Sequence, residues 1–278
     1  GDIRIAKMYP TDLPDLFKGE QLIVFGRYTG GGDTAVTLEG TVNGRPRSFT
    51  YDAKFARQAT EHGFIPRLWA TRRVGFLLDQ IRLHGENQEL RDEVTDLARK
   101  YGIVTPYTAY LIVEDEARRN VPTARRTLQN IDQNRGLREG VGKIYREAND
   151  NKSGDGAVGD AQALDVLRRA EATTAPRAAN KLAFGGREGA GEAGGVAIQQ
   201  AIQSQQVRNI RGRTFYQNGS QWIDSQVQSA ANARRVQVKF NSDEYFDLLK
   251  KHPDAAQWLS VGNNVQLLLD DTAYEIVE

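Results

Sequence analysis

The sequence predicts an α+β chain: a β-rich opening stretch, a helical hairpin, a polar helical insert and a small carboxy-terminal α+β module. Three observations carry that reading. Asn43-Gly44 sits at the centre of an alternating stretch, and two apolar stripes at helical spacing follow it. A second set of hairpin signals closes the chain at Asn218-Gly219 and Asp270-Asp271.

Residues 1–60 read as β. Leu22-Ile23-Val24-Phe25, ending at Gly26, is a short apolar run that suits a strand buried on both faces. Val36 to Tyr51 reads as a hairpin, because a two-residue primed turn needs positive φ at both positions and Asn-Gly supplies it. That turn sets Leu38 opposite Phe49 and Val36 opposite Tyr51 on one face. Thr37 then faces Thr50, and Glu39 faces Ser48, on the other. Pro46 cannot donate to a ladder, so its strand is an edge or carries a bulge.

Residues 61–113 read as two helices and a return strand. Pro66 suits a first helical turn. Trp69, Leu77 and Ile81, with Leu68, Val74 and Leu78 beside them, form an apolar stripe that Gly85 ends. Leu90, Val94, Leu97 and Tyr101 make the face of a second helix, with Asn87 as N-cap and Gly102 at the C′ position. Ile103-Val104 and Tyr110-Leu111-Ile112-Val113 flank Thr105-Pro106 and read as extended chain.

Residues 114–205 are rich in Arg, Asn, Gln, Ala and Gly, with short helical patterns such as Ala161, Leu164, Leu167 and Ala170. The glycine- and alanine-rich run over 185–195 offers little apolar surface against its ordering entropy and reads as a flexible linker. Residues 206–278 read as a compact α+β module. Asn218-Gly219 sets Phe215 opposite Trp222 and Arg213 opposite Asp224. Val236, Val238 and Phe240 alternate as a strand, and Ser242 caps a helix carrying Tyr245, Phe246, Leu248 and Leu249. A turn at Asp270-Asp271 pairs Leu267 with Tyr274 and Val265 with Ile276.

Composition bounds the function. Lys plus Arg is 37 against 36 for Asp plus Glu, so no global field captures nucleic acid, which is not expected as a partner. The absence of cysteine rules out disulfides, thiolate metal sites and thiol nucleophiles. No apolar run approaches the ~18 residues of a membrane-spanning helix. Gly1 is no initiator, so any export signal would lie outside this sequence, and its absence here says nothing of localisation.

No motif calls for a cofactor, metal or catalytic residue. The glycine run at 186–195 lacks the Gly-Lys-Ser/Thr and preceding strand of a phosphate loop. His62, His84 and His252 lack ligand spacing. Asp270-Asp271 offers a cation too few oxygens, and no Gly-x-Ser-x-Gly elbow occurs. Arg67, Trp69, Arg72 and Arg73 form the one candidate binding patch, basic and aromatic, suited to a polyanion or glycan. Against it, the arginines could pair with acids such as Asp79 or Glu86 while Trp69 is core. A helix with one apolar face that includes Trp69 favours that reading. Arg118, Arg119, Arg125, Arg126, Arg135 and Arg138 make the insert locally basic, diluted by Asp115, Glu116, Asp132 and Glu139. They suit a weak polyanion contact or a solvated helix surface, and the dilution favours the second.

Two blocks resemble a known family. One is Tyr9-Pro10, Leu13-Pro14-Asp15-Leu16-Phe17, Gly19-Glu20 and Gly26-Arg27-Tyr28; the other is Lys100 to Thr108, with Val104-Thr105-Pro106 at its centre. Phe64 to Ala70 and His84-Gly85-Glu86-Asn87 extend the likeness. They are similar to the segment that follows the von Willebrand A domain in inter-α-trypsin inhibitor heavy chains. The likeness is greater to bacterial VIT and von Willebrand A domain proteins. The resemblance covers residues 1–113, and the final module is similar to the carboxy-terminal piece of the bacterial proteins. It implies that residues 1–60 are part of a hybrid sandwich completed by an upstream VIT segment. It further implies a non-catalytic, extracytoplasmic scaffold for an upstream A domain that binds a protein or glycan with a metal. No Asp-x-Ser-x-Ser occurs here, so no metal ligand carries over. His252-Pro253-Asp254 reverses the Asp-Pro junction at which the animal heavy chains are linked to glycosaminoglycan, so that chemistry does not carry over either. The alternative is an enzyme or glycan-processing module within 206–278, which would need converging carboxylates in a cleft. A third reading is an intramolecular brace with no external ligand.

Overall fold

A computed structural model describes residues 3–57, 64–121, 126–185, 192–204, 207–218, 220–230 and 232–278. The chain is α+β and divides into two compact units, residues 1–63 and 64–278.

In the first unit β1 (Arg4–Tyr9) pairs antiparallel with β2 (Phe25–Thr29), with a bulge between Ala6 and Tyr9. β3 (Gly32–Val42) and β4 (Arg45–Phe55) form the expected hairpin, with Leu38 across from Phe49 and Val36 across from Tyr51. Asn43 and Gly44 have φ of 52° and 75°, as a primed turn requires. Tyr28 ties the two ribbons together. Its hydroxyl donates to the Ala56 carbonyl at 2.7 Å, and its ring meets Phe55 edge-on at 4.8 Å. The apolar run 22–25 is not the expected two-sided strand. β2 begins only at Phe25, and Val24 is exposed, because no layer covers this segment. Among the described residues of this unit, Tyr9 alone is buried.

The second unit begins with α1 (Phe64–His84), which is buried around most of its circumference. It buries more than the one apolar face expected of it, because it is the central helix of its layer, not a surface helix. α2 (Gln88–Tyr101) has the expected Asn87 cap, which accepts from Leu90 N–H at 2.9 Å, and the expected Gly102 at φ 64°. Residues 106–118 are α3 (Pro106–Arg118), not a return strand. Thr105 and Thr108 cap each other's backbone N–H groups, with Pro106 following the cap. Leu111, Ile112 and Val113 are buried, and Tyr110 half-buried, because α3 lies against α2 and the next long helix, not because the run is a central strand.

Residues 114–205 are more densely packed than a polar insert requires. After α4 (Gln129–Gln133) come α5 (Arg135–Asp150), α6 (Asp155–Arg168), α7 (Ala175–Gly185) and α8 (Glu192–Ser204). Leu128, Ile131, Val141, Ile144, Leu164 and Leu167 are buried among them. The physical reason is small residues. Ala163, Ala170, Ala179 and Ala183 are buried, so backbones approach closely with little apolar bulk. Of the expected linker, residues 186–191 lie outside the described residues, while Gly185 ends α7 and Glu192–Gly195 open α8.

The chain ends in a mixed six-stranded sheet of order β5-β6-β7-β9-β10-β8. The strands are β5 (Val207–Ile210), β6 (Arg213–Asn218), β7 (Gln221–Asp224), β8 (Arg234–Lys239), β9 (Val265–Leu269) and β10 (Thr272–Val277). β7–β9 and β8–β10 are parallel. One face packs Phe215, Val265, Leu267 and Ile276 against α10 (Asp243–Lys251) and α11 (Ala255–Leu259). The other packs Ile223 and Ala273 with Val227 of α9 (Ser225–Ser229). The β9–β10 register is the expected one, and Ser242 caps α10 by accepting from Tyr245 N–H. The β6–β7 register is shifted by two: Phe215 pairs with Asp224 and Gln217 with Trp222. A two-residue shift leaves every side chain on its face, so the apolar pattern cannot distinguish the two registers.

Candidate functional site

The sheet docks onto α2 through carbonyls of that helix's last turn, of which Ala98 O also accepts from the Gly102 and Ile103 N–H groups. The last four carbonyls of a helix have no intrahelical partner. Tyr216 Oη donates to Arg99 O at 2.8 Å and Ala98 O at 3.1 Å, and Thr214 Oγ1 donates to Lys100 O at 2.6 Å. A Cβ on Gly102 would lie 2.5 Å from Val207 Cγ1. The tight approach and the left-handed φ both demand glycine there.

The four residues of the basic and aromatic patch do not share one surface. Trp69 is core. Arg72 is 3% exposed, and its Nε donates to Ala170 O at 2.9 Å, just past the end of α6, where a cation meets orphan carbonyls. Arg73 makes a two-point pair with Glu93, at 2.9 and 2.5 Å, joining α1 to α2. Asp79 and Glu86, the partners expected of these arginines, bind Arg168 and Arg91 instead. Tyr145 also donates to Glu86, at 2.8 Å.

Arg67 alone faces open space. It lines a cavity of about 560 Å³ with Arg177, Lys181, Arg208, Asn180 and Val104 among the walls, and no carboxylate lines it among the described residues. Arg67 Nε is buried without a hydrogen-bond partner, and so is Asn180 Oδ1, whose Nδ2 donates to Val104 O at 3.1 Å. Burial pushes the Arg67 guanidinium below its ordinary pKa, and neighbouring Arg177 pushes it the same way. Arg177 and Lys181 stand one turn apart on α7, on one face. They are 110 or more positions from Arg67, so no spacing in the sequence could have joined them.

The described arginines of 114–139 are held by acids; Arg125 lies outside the described residues. Asp115, 6% exposed, accepts from Arg99 at 3.1 Å, Arg118 at 2.8 Å and Arg119 at 2.9 Å. Arg126 pairs with Asp132 and Arg135 with Glu139. Glu116, 1% exposed, accepts the Thr127 N–H on both carboxylate oxygens.

Within 206–278 the most enclosed acid is Asp224. It pairs with Arg213 at 2.7 Å and caps Gln226 N–H, and Arg213 lies over the Trp258 ring at 4.1 Å. Burial pushes the Asp224 carboxyl up despite these bonds, but it lies in packed core, not in a cleft. A recess of about 200 Å³ along β8 and β10 holds one carboxylate, Glu275, which accepts from Gln221 and Gln266. Among the described residues no three His, Cys, Asp or Glu side chains gather as metal ligands, and no helix is long and apolar enough to cross a membrane.

No family profile matches the chain, and no solved structure does. Over 137 aligned residues, 45% of this chain, it is 26% identical to the human inter-alpha-trypsin inhibitor heavy chain H4, of which it spans only 15%. It is therefore distantly similar to a short part of a heavy chain.

Proposed function

We propose that this chain is a non-catalytic scaffold and interaction region of a longer, extracytoplasmic VIT and von Willebrand A type protein. In this reading, residues 1–63 complete a sandwich with an upstream VIT segment. The assembly supports metal-dependent binding of a protein or glycan by an upstream A domain. The observation that supports it is the face of the β3–β4 hairpin. Val36, Phe49 and Tyr51 are 42%, 47% and 58% exposed there, with Leu38 between them, while Thr37 and Thr50 occupy the opposite face. An apolar face of this kind marks a surface meant to be covered. The test pairs full-length protein with this chain as baits in the native host's extract, with and without divalent metal. Metal-dependent capture by the full-length bait alone supports the scaffold reading. Metal-independent capture by this chain sinks it.

A further inference from the structure

We infer that the cavity between α1, α7 and β5 is a binding site for a compact oxyanion that carries a hydroxyl beside its charge. Four cations, Arg67, Arg177, Lys181 and Arg208, line it, with no carboxylate among the described lining residues. Arg208 is already engaged, over the Trp222 ring at 4.6 Å and donating to Val261 O at 3.3 Å. The side chains of Arg67, Arg177 and Lys181 have no hydrogen-bond or ion-pair partner among the described residues. Elsewhere in this unit buried arginines have at least one acceptor: Arg72 Nε a carbonyl and Arg99 Nη2 the Asp115 carboxylate, although Arg99 Nε, like Arg67 Nε, is buried without one. A buried guanidinium nitrogen without an acceptor forfeits its solvation, and like charges around one cavity add repulsion. An anion relieves both, and Arg67 would meet it as a charge-assisted donor.

Asn180 sets the second requirement. Its amide nitrogen is committed to Val104 O, so the oxygen is the free end, buried and able only to accept. Sulfate, which carries no proton at neutral pH, leaves that oxygen unpaired. A phosphorylated or carboxylated polyol offers the oxyanion to the cations and a hydroxyl to Asn180. At about 560 Å³ the cavity has room for such a molecule and lies within the usual range for small-ligand sites.

The test is titration calorimetry on the whole 278-residue chain at fixed ionic strength. The probes are glucose 6-phosphate, gluconate, sulfate and glucose. We expect one-to-one binding of one or both hydroxylated anions, sulfate weaker by about threefold or more, and no heat from glucose; which anion binds tighter tells a phosphate ester from a carboxylate. Arg177→Glu and Lys181→Glu change exposed side chains, so circular dichroism should stay as in the parent. Each should weaken binding about tenfold, about 1.4 kcal/mol. No binding of either hydroxylated anion at 10 mM, or equal affinity in both charge-reversed variants, overturns the site. Sulfate binding as tightly as glucose 6-phosphate and gluconate overturns the role given to Asn180.

Discussion

Asp115 and Glu116 are neighbours on α3, both buried, and their environments drive them in opposite directions. Burial alone would raise the Asp115 pKa, but hydrogen bonds and charge from Arg118, Arg99 and Arg119 outweigh it and hold it below 3.8. A carboxyl depressed in the folded state contributes stability above its unfolded pKa and loses it as pH falls through the folded value. Asp115→Asn should therefore cost about 3–5 kcal/mol at neutral pH, the usual loss when one member of a buried pair is removed. The difference from the parent, read by urea unfolding, should shrink as pH drops below 3.8. For Glu116 burial prevails over the Thr127 N–H and Arg99, and the pKa lies above 4.5. Its contribution is fully present below 4.5 and lost as pH rises through the folded value. Glu116→Gln should therefore raise the neutral-pH midpoint, while its amide oxygen still accepts from Thr127. A drop as large as that of Asp115→Asn would show that the charge of Glu116 is needed.

At the scale of elements, α1 and α6 approach closely enough to need glycine. A Cβ on Gly75 would sit 2.7 Å from Arg168 N and 2.8 Å from Leu167 Cβ, and the first of these is backbone that cannot swing away. Gly75→Ala should cost about 1–3 kcal/mol through overpacking, despite alanine's better helix propensity. An unchanged thermal midpoint would mean that α6 can shift without loss. The same layer shows why some elements were legible in the sequence and others were not. Caps and tight turns are local, so Asn87, Ser242 and Asn43-Gly44 could be placed from neighbouring residues. α3 was misread because a four-residue apolar run has no period of its own. Thr105-Pro106-x-Thr108 was the signal that could have decided it. The helices after residue 126 were underestimated because alanine contributes little to apolar bulk yet allows dense packing. The cavity around Arg67 was illegible for another reason: tertiary packing alone brings α7 beside α1.

The whole molecule contrasts two units with unequal cores. Residues 64–278 bury side chains in every long helix and on both faces of the sheet. Among described residues, 3–57 bury Tyr9 alone, while Ile5, Leu16, Phe17, Phe49 and Tyr51 are each at least 47% exposed. Ordering a residue costs about 1–2 kcal/mol of backbone entropy, and burying apolar area at about 25 cal/mol per Å² is the main term that offsets it. The first unit buries too little to meet that cost alone, since a domain of its size is marginal even with a full core. A fragment of residues 64–278 should therefore unfold in one cooperative transition. A fragment of residues 1–63 should show none and should bind an apolar fluorescent dye. If the proposed sandwich forms, adding the separately produced VIT segment that it calls for should restore a transition and quench the dye signal, and Phe49→Glu should block that rescue. Cooperative melting of residues 1–63 by themselves would mean that the β3–β4 face needs no cover, and the sandwich-completing role would lose its physical basis.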